Sequence, residues 1–272
     1  MDDAAVLLNI DEASGISTIT LNRPQALNAL NQAMVAAFDE ATAQVADNNA
    51  VRAVVIEGAG PHFMAGGDIK YFYSTLNNTD SRRREILEGM IGKVHESVIR
   101  IRSMEKPVLA SVRGAVAGFG LSLMNACDLA IAASDSYFTL AYCHLGTSPD
   151  GGGTYGLPRL VGLKQAMEIA LLGDRFDAET ALRLGLINRI VPVDELATAT
   201  SDLAKRLAQG PTQALGRTKR LLNESLNRNL DEQLRAEQES FVACAMSREF
   251  AEGVTAFIEK RKPVFKSNQE IL

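Results

Sequence analysis

Two periods of hydrophobicity alternate along the first half of the chain. Residues 6–10 and 16–21 carry strand-like alternation, and Asp11-Glu12-Ala13-Ser14-Gly15 between them predicts a hairpin turn. Asn22-Arg23-Pro24 ends the second strand. From Asn28, the apolar positions Leu30, Met34, Ala37, Phe38, Ala41 and Val45 fall at helical spacing. Residues 51–57 read as a short buried strand, broken by Gly58-Ala59-Gly60-Pro61. A polar loop over 74–80 precedes a long helix at 81–102, with Ile86, Met90, Val94, Val98 and Ile101 as its apolar stripe. Strand 107–112, helix 118–126, strand 128–133 and strand 137–140 follow. This repetition of strand, turn and helix predicts an α/β fold.

From Leu163 the pattern is helical: 163–172, 177–184, 194–208, 211–226, 230–246 and 248–261. Asp177 and Asp194 stand where N-caps belong, and Pro211 where a first helical turn accepts it. No Gly/Ser linker separates the halves. We therefore expect a core over 1–193 and an integrated helical region over 194–272. A tail without strands has to bury its apolar stripes on the core or on another subunit.

Composition narrows the classes. A chain of 272 residues, 46% hydrophobic and 22% charged, can bury a large core without covalent staples. Its net charge of −5 disfavours nucleic-acid binding through a broad basic surface, but leaves room for an anionic ligand held by a few local Lys and Arg residues. Cys127, Cys143 and Cys244 are odd in number and widely spaced, which fits neither a disulfide framework nor a zinc site. His62, His95 and His144 are not at metal-ligand spacing, so no metal is expected. The start Met1-Asp2-Asp3-Ala4 lacks the basic and apolar stretches of a signal peptide. No apolar run reaches membrane-spanning length, because Asp128 and Ser134 to Ser136 interrupt the longest candidate. A cytoplasmic protein without membrane contact is expected.

Two glycine-rich stretches carry the chemistry. Ala65-Gly66-Gly67-Asp68-Ile69-Lys70 and Gly114-Ala115-Val116-Ala117-Gly118-Phe119-Gly120 each follow a strand pattern and enter a helix pattern. Glycine lets backbone approach a ligand and leaves N–H groups unpaired at a helix start. Two such turns can aim two donors at one oxygen, as an oxyanion hole does. They also read as two ordinary strand-to-helix turns.

Together with their neighbours, these stretches resemble the crotonase family, or enoyl-CoA hydratase/isomerase superfamily. The resemblance runs from Thr20-Leu21-Asn22-Arg23-Pro24 and Leu27-Asn28-Ala29-Leu30 through both glycine stretches. It continues with Lys106-Pro107, Cys127-Asp128-Leu129-Ala130-Ile131-Ala132, Gly146-Thr147-Ser148-Pro149-Asp150-Gly151-Gly152 and Leu157-Pro158-Arg159-Leu160-Val161-Gly162. It closes with Ala256-Phe257-Ile258-Glu259-Lys260-Arg261-Lys262-Pro263. It implies a crotonase-like spiral of strand-strand-helix units, a helical C-terminal oligomerisation region, and homotrimers or dimers of trimers. It implies acyl-CoA thioester substrates and no separate cofactor, since coenzyme A is part of the substrate. The backbone N–H groups of Gly67 and Phe119 would form the oxyanion hole. Phe119 stands where many members have glycine or alanine, and is expected to reshape the acyl pocket. Gln25, Ala26, Asp68, Ile69 and Lys70 match positions along the coenzyme. Phe257 and Lys260 match tail positions that reach the coenzyme of a neighbouring subunit. Lys70 and Lys260 also read as solvated surface lysines.

The resemblance also bears on the reaction. The family's hydratases use two glutamates, and the matching positions here hold Ser122 and Tyr142 as acyl-pocket residues. Neither serves as a carboxylate base. Asp150 falls where some family isomerases carry their base, and its surroundings look most like those of the phenylacetate-pathway ring-epoxide isomerase. There a buried aspartate with a raised pKa would shuttle a proton between carbons. Pro149-Asp150-Gly151 also reads as a plain turn or N-cap. The expected activity is isomerisation of an enoyl-type CoA thioester through a stabilised enolate. The alternatives are an enoyl-CoA hydratase or a catalytically silent acyl-CoA-binding member. His62 could border the acyl pocket, His95 is expected to be exposed on its helix, and His144 lies close in sequence to Tyr142.

Overall fold

Strands β1 (Val6–Asp11) and β2 (Ile16–Leu21) form the expected antiparallel hairpin, with Val6 opposite Leu21. The computed structural model describes residues 4–265; the acidic start at 1–3 and the end of the expected helical region, 266–272, lie outside them. β3 (Ala53–Gly58), β4 (Val108–Val112), β6 (Leu129–Ala133) and β9 (Arg189–Val191) join β2 in parallel, giving the order β1-β2-β3-β4-β6-β9. Every residue of β4 is buried, as a parallel strand covered on both faces must be. Alternate side chains serve opposite faces. Val54, Ile56 and Ala110 join the core beneath α1 (Gln32–Asp47) and α3 (Asp80–Ser103). Val55, Leu109 and Ile131 meet Leu196, Leu203 and Ala204 of α8 (Leu196–Ala208). The first helix of the 194–272 region therefore covers one face of the sheet.

A second, smaller sheet has the order β5 (Ala115–Ala117), β7 (Tyr137–Thr139), β8 (Phe176–Asp177). The rings of Phe138 and Phe176 stack across it with centroids 5.6 Å apart. α2 (Ile69–Thr75) and α4 (Phe119–Ala126) follow the two glycine turns. α5 (Gly153–Val161), α6 (Leu163–Leu172) and α7 (Ala178–Arg183) precede β9, and α9 (Thr212–Ser225), α10 (Leu230–Ala245) and α11 (Arg248–Ile258) form the tail.

The structure differs from the sequence pattern at several ends. α1 begins at Gln32, not Asn28: Asn31 accepts from the Met34 N–H at 2.9 Å, while Leu27 and Asn28 are left-handed. α2 runs into the stretch expected as polar loop, because Asp68 caps it through the Lys70 and Tyr71 N–H groups. α5 is absent from the pattern because three glycines open it and Pro158 lies inside it. β9 enters the main sheet within the half expected to lack strands; three residues are too few to show alternation. Asp177 caps α7 as expected, accepting from Thr180 at 2.9 Å. Asp194 does not cap α8: it lies within a 3-10 turn, Val193–Glu195. Pro211 is the residue before α9 rather than part of its first turn.

Candidate active site

The first glycine turn is tied down on both flanks. Asn28, buried and left-handed, donates its amide to the carbonyls of Ala59, His62 and Phe63 at 3.0, 2.8 and 3.1 Å. Its Oδ1 accepts from Arg23 N at 2.8 Å. Ala65 N donates to Leu27 O, Leu30 N to Gly66 O and Asp68 N to Leu30 O. Segment 27–30 thus runs beside 65–68. On the other side, Met64 N reaches Ala115 O at 3.0 Å, and Ala117 N returns to Met64 O at 2.8 Å. His62 Nδ1 accepts from Ala115 N at 3.1 Å, so its ring supports this join.

The same join positions the second turn. Gly118 has φ +53 and ψ −121, a conformation open to glycine, and its N–H donates to Thr139 O. At Gly120 an added Cβ would lie 2.5 Å from Met64 O, so only glycine lets α4 start this close to the first turn. The two turns then face each other, since a Cβ built on Gly66 would sit 3.5 Å from Phe119 N. Neither Gly67 N nor Phe119 N has a protein acceptor among the described residues. Two free N–H donors on facing, immobilised turns are what an oxyanion site needs.

Asp150 lies on the loop before α5, which rests on the Phe119 ring and Ser122 through Gly151. The Tyr142 hydroxyl donates to Asp150 Oδ1, and Ser122 Oγ to the Asp150 carbonyl at 3.0 Å. The structure therefore brings Asp150, Tyr142 and Ser122 together. Burial, and after it the Asp150 charge, push the Tyr142 phenol well above its usual range, so it stays a proton donor. Asp150 itself is half-buried, not buried as expected, because the loop from Gly146 to Asp150 lies at the surface. Its side chain caps no helix: Gly152 is the residue before α5. Gly151 and Gly152 are left-handed, and Gly151 N donates to His95 Nε2 at 3.3 Å.

Phe119 departs from expectation. Its ring is 2% exposed and packs beneath Gly151, where an added Cβ would fall 2.4 Å from Cδ2. It supports the Asp150 loop and does not line the cavity of about 570 Å³ that Ser122, Gly151 and Gly152 border. His95 is exposed as expected, yet it holds the loop; a helix stripe shows no such contact. His144 turns to Gly173 O at 3.2 Å, away from Asp150.

The remaining candidates divide into two places. Gln25 and Ala26 form a short 3-10 turn beside segment 27–30. Asp68 pairs with Arg23 at 2.9 Å. Burial opposes its charge, but Arg23 and the capping N–H groups outweigh it and hold the carboxyl below its usual range. Its side chain is thus already engaged by this chain. Ile69 and Lys70 are exposed in the first turn of α2. Phe257 and Lys260 lie apart, at the end of α11, where Phe257 is 83% exposed beside an apolar pocket formed with Pro211 and Phe265. No cluster of three or more metal-ligating side chains occurs among the described residues, and no described helix is long and apolar enough to cross a membrane.

This geometry has counterparts. A family model described as Enoyl-CoA hydratase/isomerase matches residues 11–268. The 1,2-epoxyphenylacetyl-CoA isomerase of Escherichia coli is 37% identical over 253 residues, covering 92% of this chain and 95% of that protein. The crotonyl-CoA hydratase of Syntrophomonas wolfei is 35% identical over 260 residues, covering 95% and 97%. Among solved structures, an enoyl-CoA hydratase of Mycobacterium smegmatis superimposes with a TM-score of 0.89 at 32% identity, covering 97% of this chain and 99% of that one. The crotonase-like α/β fold expected from the sequence is the fold these proteins share.

Proposed function

The chain belongs to the enoyl-CoA hydratase/isomerase family, and within it we propose an isomerase of enoyl-CoA thioesters with Asp150 as its base. The observation that carries this is the Asp150 carboxylate held by the Tyr142 hydroxyl, whose ring edge lies 4.0 Å from a Cβ built on Gly118, the residue before the free Phe119 N–H. Tyr142 occupies Oδ1, and Oδ2 has no partner among the described residues. Oδ2 removes a proton from the carbon next to the thioester carbonyl. The electron pair moves onto the carbonyl oxygen, where Gly67 and Phe119 N–H groups receive the charge. The protonated carboxyl then gives the same proton back two carbons away, and the double bond moves. One acid suffices, because the proton returns to the substrate. The positions matching the hydratase glutamates hold Ser122 and Tyr142, here a carbonyl ligand and a phenol donor.

Gln25, Ala26, Asp68, Ile69 and Lys70 would line the coenzyme: Asp68 with its backbone, Lys70 with its exposed ammonium near phosphate. Phe257 and Lys260 would serve a neighbouring subunit in a homotrimer or dimer of trimers. We place the protein in the cytoplasm, without a separate cofactor. The hydratase reading draws support from the names of several relatives.

The test is a Δ3-enoyl-CoA assay. Wild type should isomerise the substrate and hydrate crotonyl-CoA poorly. Asp150→Asn should retain acyl-CoA binding and lose isomerisation about 100- to 10,000-fold. Gly67→Pro, which deletes one donor and also drives a Cβ to 2.3 Å from the Phe72 ring, should cost at least about 100-fold. Strong hydration that survives Asp150→Asn would favour the hydratase reading and remove Asp150 from the mechanism.

A further inference from the structure

The cavity of about 570 Å³ lies among α3, α4, α5 and α9 and begins at the Asp150 loop. Ser122 and Gly151 border it there, and His95 marks the same level on α3. Arg102 lies seven residues further along α3, roughly 10 Å along the helix axis. Val98 and Ile99 make the wall between them apolar. An acyl tail passing Ser122 and Gly151 into this cavity would cross an apolar stretch before reaching Arg102.

The far end is not built for a methyl group. Arg102 donates to Asn223 Oδ1 at 2.6 Å and lies 5.4 Å from the Tyr155 ring centroid, with no carboxylate partner among the described residues. Arg159 stacks on the same ring at 3.7 Å, likewise without a carboxylate. The other charges at this end are paired: Arg220 with Glu105, Glu224 with Arg228, and Asp128, whose carboxylate also feels the Arg102 charge, with Lys219. The uncompensated charge is therefore positive. A hydrogen bond from Asn227, together with the charges of Arg159 and Arg102, brings the Tyr155 phenol below its usual range against the opposing effect of burial. Asn125, on the wall of the same cavity, is 7% exposed, and neither amide atom has a partner among the described residues. Such a group is costly where an apolar side chain would fit.

We infer that the acyl group of the substrate ends in a carboxylate, so that the preferred substrates are dicarboxylic enoyl-CoA thioesters with Arg102 receiving the distal carboxylate. Asn125 offers an unpartnered N–H on the same wall. The inference rests on the acyl-CoA reading of the Asp150 site. Arginine suits the task because its planar fork matches a carboxylate, and because a site built to bind one discriminates against an analogue lacking it.

The experiment compares saturated acyl-CoA thioesters of equal length, one ending in methyl and one in carboxylate, by calorimetric titration. Wild type should bind the carboxylated compound about tenfold or more tightly. Arg102→Gln should erase that preference and Arg102→Lys restore part of it. The matching Δ3-enoyl pair should show the same order in kcat/KM. Asn125→Leu should lower the preference and raise Tm. Equal or weaker binding of the carboxylated compound by wild type overturns the inference without any variant. So does a preference that survives Arg102→Gln. Isomerisation of the methyl-ended substrate without preference defeats this inference alone. Failure to bind either thioester defeats the acyl-CoA reading as well. Carboxylate-dependent binding without isomerisation keeps the distal subsite and defeats the proposed reaction.

Discussion

α4 and α11 are both apolar enough to seek a core, and they meet opposite fates. All eight residues of α4 are buried, while α11 buries Ala256 and leaves Phe257 and Ile258 largely exposed. α4 starts where Gly120 lets it touch the first glycine turn, and its remaining length lies among α3, α5 and the sheet. α11 packs on α10 and shares an apolar pocket with Pro211 and Ala214 at the start of α9. The proposed oxyanion site draws one donor from the start of the first helix, where packing fixes the backbone from several sides. The second presents an apolar face that a further copy of the chain would complete, as the proposed assembly requires.

The contrast can be broken at either helix. The largest effect is expected from Phe119→Ala, which empties a buried ring site under Gly151. It should lower unfolding free energy by about 3–5 kcal/mol in a denaturant titration, with a parallel fall in isomerisation as the Asp150 loop loosens. Stability within 1 kcal/mol of wild type would mean that α4 is less tightly packed than its burial implies. Lys106→Met is next. The ammonium donates to Val45 O, Ala46 O and Asn48 O at 2.8, 3.2 and 2.8 Å, closing the end of α1. Removing that donor from Val45 O and Ala46 O, while Asn48 O keeps Val51 N, should cost about 1–3 kcal/mol by thermal unfolding.

Changes in the tail sharpen the other side. Phe257→Ser with Ile258→Ser should alter unfolding of the dilute single chain by no more than about 0.5 kcal/mol. Light scattering should nevertheless show the assembly giving way to single chains. A wild type already monomeric at micromolar concentration would leave the exposed face of α11 unexplained and end the assembly proposal. The smallest effect is expected at Lys70, exposed on α2. Lys70→Ala should raise KM for acyl-CoA about threefold, the size of a solvated charge contact, and an unchanged KM would return Lys70 to the surface.

Much of this was legible in the chain before folding. The hairpin, β3, β4, β6 and the long helix α3 follow from periodicity. Both glycine turns follow from composition at strand ends, and the placement of Asp150 with Ser122 and Tyr142 from the family resemblance. What escaped had no local signal. β9 is three residues long, and α5 hides behind glycines and an internal proline. His95 looks like any exposed helix residue until the Asp150 loop folds over it, and Asn125 like any member of an apolar run.

By itself the sequence determined which segments could be strand or helix and where the backbone needed glycine. Those properties depend on near neighbours along the chain: period, turn chemistry, side-chain type. Only the tertiary structure decided that Gly66 faces Phe119 N, that Tyr142 reaches the Asp150 carboxylate, that Phe119 carries Gly151, and that Arg102 ends a cavity with no carboxylate partner among the described residues. These relations join residues from separate elements. Packing sets their distances, and no pattern within one segment encodes packing between segments.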